Sequence, residues 1–90
     1  MIKVTIEKGK ITAEGHANNN YICNTVSTMM WALSNNLEKA NARKLEIYED
    51  DGLHIVACKV DRRSKPSLEG FIECFKLLAE QFPEEIFVTG

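Results

Sequence analysis

Leu45-Glu46-Ile47-Tyr48-Glu49-Asp50-Asp51-Gly52-Leu53-His54-Ile55-Val56-Ala57-Cys58-Lys59-Val60 is the stretch whose reading decides the fold. Its centre, Asp50-Asp51-Gly52, carries the Asp-Gly pair that tolerates the positive φ of a tight hairpin. The flanks, Leu45 to Glu49 and Leu53 to Val60, therefore read as two antiparallel strands. The second is apolar on both faces, with Leu53, Ile55 and Ala57 on one side and Val56, Cys58 and Val60 on the other. Such a strand belongs inside a sheet that is covered on both sides.

Working outward, Ile2, Val4 and Ile6 alternate with Lys3, Thr5 and Glu7, and Lys8-Gly9-Lys10 supplies a turn before Ile11 to Glu14. That is a first hairpin. Between the two hairpins, Val26, Met29, Met30, Leu33 and Leu37 fall on one face of a helix running from Asn24 to Ala40, with Trp31 off the stripe as a candidate partner contact. Beyond the basic loop Asp61 to Ser67, Leu68, Phe71, Ile72, Phe75, Leu78, Ala79 and Phe82 mark a second amphipathic helix that Pro83 ends, and Ile86-Phe87-Val88 is a last short strand. The order ββαββαβ predicts an α+β sandwich, a mixed and mainly antiparallel sheet with a helix on each face.

Ninety residues of ordinary composition make one domain, 1–90, with a single core and a site that is shallow or shared. A net charge of −2 and a pI near 5.6 leave no electrostatic footprint for nucleic acid. No signal-peptide pattern opens the chain, and no run reaches the roughly 20 apolar residues of a membrane helix, so a cytoplasmic protein is expected. The three cysteines, Cys23, Cys58 and Cys74, are widely spaced without a CxxC pair. Neither a disulfide framework nor a metal site is expected, and no cofactor.

Cys58, in the apolar strand, and Cys74, in the second helix, read as small buried hydrophobes. Cys23 is different. It follows His16 by seven residues and stands where the first helix opens behind a strand. A thiolate is the reactive form of cysteine, and both an imidazolium and a helix N-terminus stabilise negative sulfur. His16 and Cys23 are thus candidates for base and nucleophile, with backbone N–H groups at the helix start (Cys23, Asn24, Thr25) as candidate donors to an oxyanion. Ser27, one turn later, is placed either to hold the loop or cysteine backbone or to bond back along its helix. His54 reads as structural, Met29-Met30 as core, and Glu49-Asp50-Asp51 as a solvated turn without calcium-loop spacing.

The segment GHANNNYICNTVSTMMWALSNNLE resembles the signature of the ribosomal-processing cysteine proteases of the Prp family. Gly15, His16 and Ala17 match the family's Gly-His-Ala block, and Ile22, Cys23 and Ser27 match the block that opens its first long helix. Asn36-Leu37-Glu38, and the stretch from Gly70 through Leu77-Leu78-Ala79-Glu80 to Phe82-Pro83 and Ile86, extend the resemblance over nearly the whole chain. Two positions depart from the pattern. The loop Asn18-Asn19-Asn20-Tyr21 is several residues shorter than the family's, and Asn20 stands where the family has an Asp.

The resemblance implies a small cysteine endopeptidase that removes a short N-terminal extension from a ribosomal protein or similar structural protein. Cys23 is then the nucleophile, His16 the base, and Asn20, Ser27 and Gly15 supporting residues. It also implies a protein or peptide partner and a homodimer. The short loop and Asn20 favour a second reading: a catalytically weak or inactive relative that binds a protein tail or acts as an assembly partner.

Overall fold

The computed structural model describes residues 1–90. Five strands and two helices occur in the order β1 (Ile2–Glu7), β2 (Lys10–Gly15), α1 (Asn20–Lys39), β3 (Glu46–Asp50), β4 (Leu53–Ala57), α2 (Lys65–Gln81) and β5 (Ile86–Thr89). The strands form one sheet in the order β3-β4-β2-β1-β5. Every pairing is antiparallel except β1 with β5, so the sheet is mixed and mainly antiparallel, and the ββαββαβ order of an α+β fold holds.

The registers explain how the apolar alternation becomes a core. Val4 lies opposite Ala13 and Val88, Ile11 opposite Val56, and Ala13 opposite His54. Directly paired residues share a face, so these side chains form one continuous surface, buried except at half-buried Val88. Ile22, Val26, Met30, Leu33 and Leu37 of α1, with Leu68 and Phe75 of α2, close over it.

A helix on each face is not what forms. Both helices lie on the same side of the sheet and pack against each other, which two helices separated by a sheet cannot do. The other face carries Lys3, Thr5, Thr12, Glu14 and Phe87, all exposed or half-buried. On it Leu53, Ile55 and Ala57 of β4 are half-buried, with Thr12 and Tyr48 flanking Ile55 from the neighbouring strands. Strand neighbours give an apolar residue partial shelter without a second helix layer. β4 itself does lie inside the sheet, but it ends at Ala57, leaving Cys58 and Val60 in the connection to α2.

That connection is built around buried Ser64. Its hydroxyl donates to the Lys59 carbonyl at 2.7 Å and accepts from the Asp61 N–H at 3.1 Å. Asp61 Oδ1 in turn accepts from the N–H groups of Arg63 (2.9 Å) and Ser64 (3.3 Å). The Arg63 bond above all, then Ser64 and the nearby Arg43 and Lys59 charges, holds the Asp61 carboxyl below the ordinary carboxylate range. α2 starts at Lys65, earlier than its apolar stripe, with Pro66 in the first turn. Cys74 falls off the stripe and is exposed rather than buried. Neither helix is long and apolar enough to cross a membrane.

Ser64→Ala is expected to destabilise the fold by about 1 kcal/mol, because buried Ser64 loses its bonds to the Lys59 carbonyl and the Asp61 N–H. Urea unfolding measures this directly. A variant indistinguishable from wild type would show that water replaces the hydroxyl.

Candidate functional site

β2 ends at Gly15, whose φ of +96° turns the chain out of the sheet, and a Cβ there would run into the Met1 carbonyl. Gly15 also donates its N–H to the Gly52 carbonyl at 2.8 Å, tying this exit to the β3–β4 turn. Next comes His16, exposed, its carbonyl accepting from the Met1 ammonium at 2.6 Å. Farther along the loop, the Asn18 N–H donates to Glu85 Oε2 at 3.0 Å. Asn19 then caps α1: its side chain accepts from the Tyr21 N–H at 2.8 Å, and its carbonyl accepts from the N–H groups of Ile22 and Cys23.

The helix therefore begins at Asn20, four residues before the position read from the apolar stripe. Any of the three consecutive asparagines has the side chain of a cap, and the stripe alone does not choose among them. One expectation falls with this shift. Asn24 and Thr25 lie beyond the first turn, where N–H groups already have intrahelical acceptors, and Cys23 N–H is taken by Asn19. None of the three is a free donor for an oxyanion.

Cys23 keeps its place at the junction. Half-buried, its Sγ accepts from the Ala17 N–H at 3.2 Å and lies 3.6 Å from the Ala17 carbonyl, toward which the thiol donates. The Ala17 main chain thus positions the sulfur through both its N–H and its carbonyl. Both His16 and Cys23 line one cleft of about 500 Å³. Its helical wall is Cys23, Val26, Ser27 and Met30 of α1. Its sheet wall is Ile2, Ala13, Glu14 and Gly15 with Glu49, Asp50, Asp51, Gly52, Leu53 and His54.

Of the other residues singled out in the sequence, Gly15 shapes the cleft as described, and Ser27 faces it without a hydrogen bond. Asn20 is exposed at the first position of α1, outside the cleft, and does not hydrogen-bond His16. The β3–β4 wall is what sequence reading missed. Its acidic turn looks like any solvated turn until β2–β4 pairing sets Glu14 opposite Leu53, bringing the turn beside His16. The signal was there only in the Asp-Gly pair itself.

Four carboxylates, Glu14, Glu49, Asp50 and Asp51, and no lysine or arginine line this cleft. No group of three or more His, Cys, Asp or Glu side chains is arranged to hold a metal ion. His54, expected to be merely structural, is buried at the cleft wall with Nδ1 3.9 Å from Glu49 Oε2 and Nε2 without a partner. Its ring meets the half-exposed Trp31 edge-on, centroids 4.7 Å apart. Burial holds the His54 imidazole below its ordinary value, and the Glu49 charge offsets part of that.

No protein-family model matches the chain, and no curated protein matches its sequence. Solved structures do match. SMU.848 from Streptococcus mutans is 26% identical with a TM-score of 0.83, the match covering 99% of this chain and 96% of that one. The essential ribosomal processing protease Prp from S. aureus with a covalently linked product peptide is 18% identical, TM-score 0.79, covering 98% and 95%. The same protease with a substrate peptide gives 16% identity, TM-score 0.80, and again 98% and 95%. The chain thus has the fold of a protease that binds peptides, over essentially the full length of both.

The His54 environment makes stability depend on pH. A histidine whose folded pKa is depressed takes up its proton more readily when unfolded, so its neutral burial is without penalty above the unfolded value of about 6.5 and destabilises increasingly below it. Wild type is expected to lose more stability between about pH 7 and pH 5 than His54→Leu does. Urea midpoints across that range, followed by Trp31 fluorescence, compare the two. Parallel pH profiles would show that His54 titrates alike in both states.

Proposed function

We propose that this chain is a small cysteine endopeptidase, one Prp-like domain over residues 1–90, that cleaves a flexible tail of a ribosomal or similar structural protein in the cytoplasm. The observation that carries this reading is the convergence of His16 and Cys23 on one cleft, within a fold shared with a peptide-cleaving enzyme.

The chemistry is set by the residues. His16 takes the Cys23 proton, and the thiolate attacks the scissile carbonyl carbon, forming a C–S bond. Collapse of the tetrahedral intermediate breaks the C–N bond, and His16 returns the proton to the departing amine. Water, deprotonated by His16, then hydrolyses the thioester and releases the acid and the thiol. The Ala17 N–H, directed at Sγ, helps hold the sulfur at the cleft. A second copy of the chain is proposed to frame the peptide, since a domain this small offers only one wall on each side of the cleft.

A second reading is favoured by Asn20. An amide stabilises an imidazolium less well than a carboxylate does, and here it does not reach His16 at all. Without an orienting carboxylate on His16, the cleft binds a tail and turns it over weakly or not at all, serving as an assembly partner.

Incubation with peptides spanning N-terminal tails of large-subunit ribosomal proteins, read by mass spectrometry, separates the two. Wild type is expected to cut at one bond. Cys23→Ala and His16→Ala are each expected to lose about a thousandfold or more in kcat/KM. Equal cutting by all three, or tight binding with no cutting by wild type on several tails, would leave the second reading standing.

A further inference from the structure

We propose that the β3–β4 turn is the seat of the His16 imidazole and that Gly52 is its positioning residue, a role that rests on His16 acting as the base. Gly52 has φ +73°, a conformation that favours glycine, and its bare Cα faces the ring. A Cβ built there would lie 2.8 Å from His16 Nε2, 3.4 Å from Cε1 and 3.6 Å from Cδ2. Ordinary contact between such heavy atoms is about 3.5 Å or more, so the imidazole edge occupies the space a side chain would need.

The same residue also holds the backbone. Its carbonyl accepts the Gly15 N–H at 2.8 Å, one residue before His16. Gly52 therefore meets this segment twice, holding the Gly15 main chain by a hydrogen bond and bordering the His16 ring. The turn that presents it is itself braced, because Asp50 Oδ1 accepts the Asp51 N–H at 2.8 Å and Asp50 pairs with Leu53 across the hairpin. No side chain hydrogen-bonds the imidazole, and Asn20, the residue in place of an orienting carboxylate, lies outside the cleft. With no hydrogen bond to aim it, the ring is aimed by what it rests against.

Two variants test this. Gly52→Ala adds the Cβ and strains the turn. Gly52→Asn adds the same Cβ on a residue that tolerates positive φ. Gly70→Ala on α2, where a Cβ would meet nothing within 4 Å, is the control. In folded Gly52 variants the His16 imidazole resonances are expected to move. In peptide cleavage kcat is expected to fall about tenfold to a hundredfold with little change in KM, as for a misplaced catalytic group. Unchanged His16 resonances in either folded variant would overturn the proposal.

Thermal unfolding supplies a measurement that does not need an active enzyme. If the added methyl strikes His16, His16→Ala will relieve part of the Tm loss caused by Gly52→Ala. Strict additivity of the two substitutions would show that the groups do not touch. An inactive wild type would count against the protease reading alone, while the resonances and the Tm cycle still decide whether Gly52 seats the ring.

Discussion

The register between β2 and β4 is the constraint on which the rest depends. It places Ile11 against Val56 and Ala13 against His54, joining the two hairpins into one apolar face. At its end it sets Glu14 opposite Leu53 and closes with the Gly15 N–H on the Gly52 carbonyl. Slipping the pairing by one residue would turn every core side chain of a strand to the open face. It would also move the β3–β4 turn away from His16. Core and cleft are therefore specified by a single set of strand contacts.

The layering that results is a sheet with both helices on one face. α1 packs over β4 and α2 over β5, and the helices meet between them. The β1–β2 turn is locked to the same frame at its far end. There the Gly9 carbonyl accepts the Cys58 N–H at 2.8 Å, and a Cβ on Gly9 would collide with the Cys58 carbonyl. Opposite ends of β2 are thus pinned to opposite ends of β4, the first through Gly9 and Cys58 and the last through Gly15 and Gly52. This leaves little freedom in where β2 delivers His16.

Local chemistry was legible in the sequence, and non-local geometry was not. Element order could be read from period alone, because alternation and a helical stripe need only neighbouring residues. His16 and Cys23 stood out because a thiol at a strand–helix junction has an electrostatic meaning wherever it occurs. The helix start was obscured by Asn18-Asn19-Asn20, three residues with equal capping chemistry, of which tertiary contacts selected Asn19. β4 misled more deeply. Apolar residues on both of its faces suggested two helix layers, whereas shelter from Tyr48 and Thr12 on adjacent strands is enough for Ile55. The acidic wall of the cleft and buried His54 emerge only when strands distant in sequence are paired.

Glu85 ties the site to the far end of the chain. Its carbonyl accepts the Ile2 N–H at 2.9 Å where β5 joins β1, and its carboxylate accepts the Asn18 N–H at 3.0 Å in the loop between His16 and Cys23. Both residues of the proposed dyad emerge early during synthesis, yet the clamp on the loop between them is made of a residue translated some 60 positions after Cys23. Vectorial synthesis thus separates the arrival of the reactive groups from the arrival of the contact that fixes their loop. Until β5 has docked, the loop between the imidazole and the thiol of a ribosome-bound chain lacks this anchor, so completion of the sheet and anchoring of that loop fall at the same moment in the life of the polypeptide.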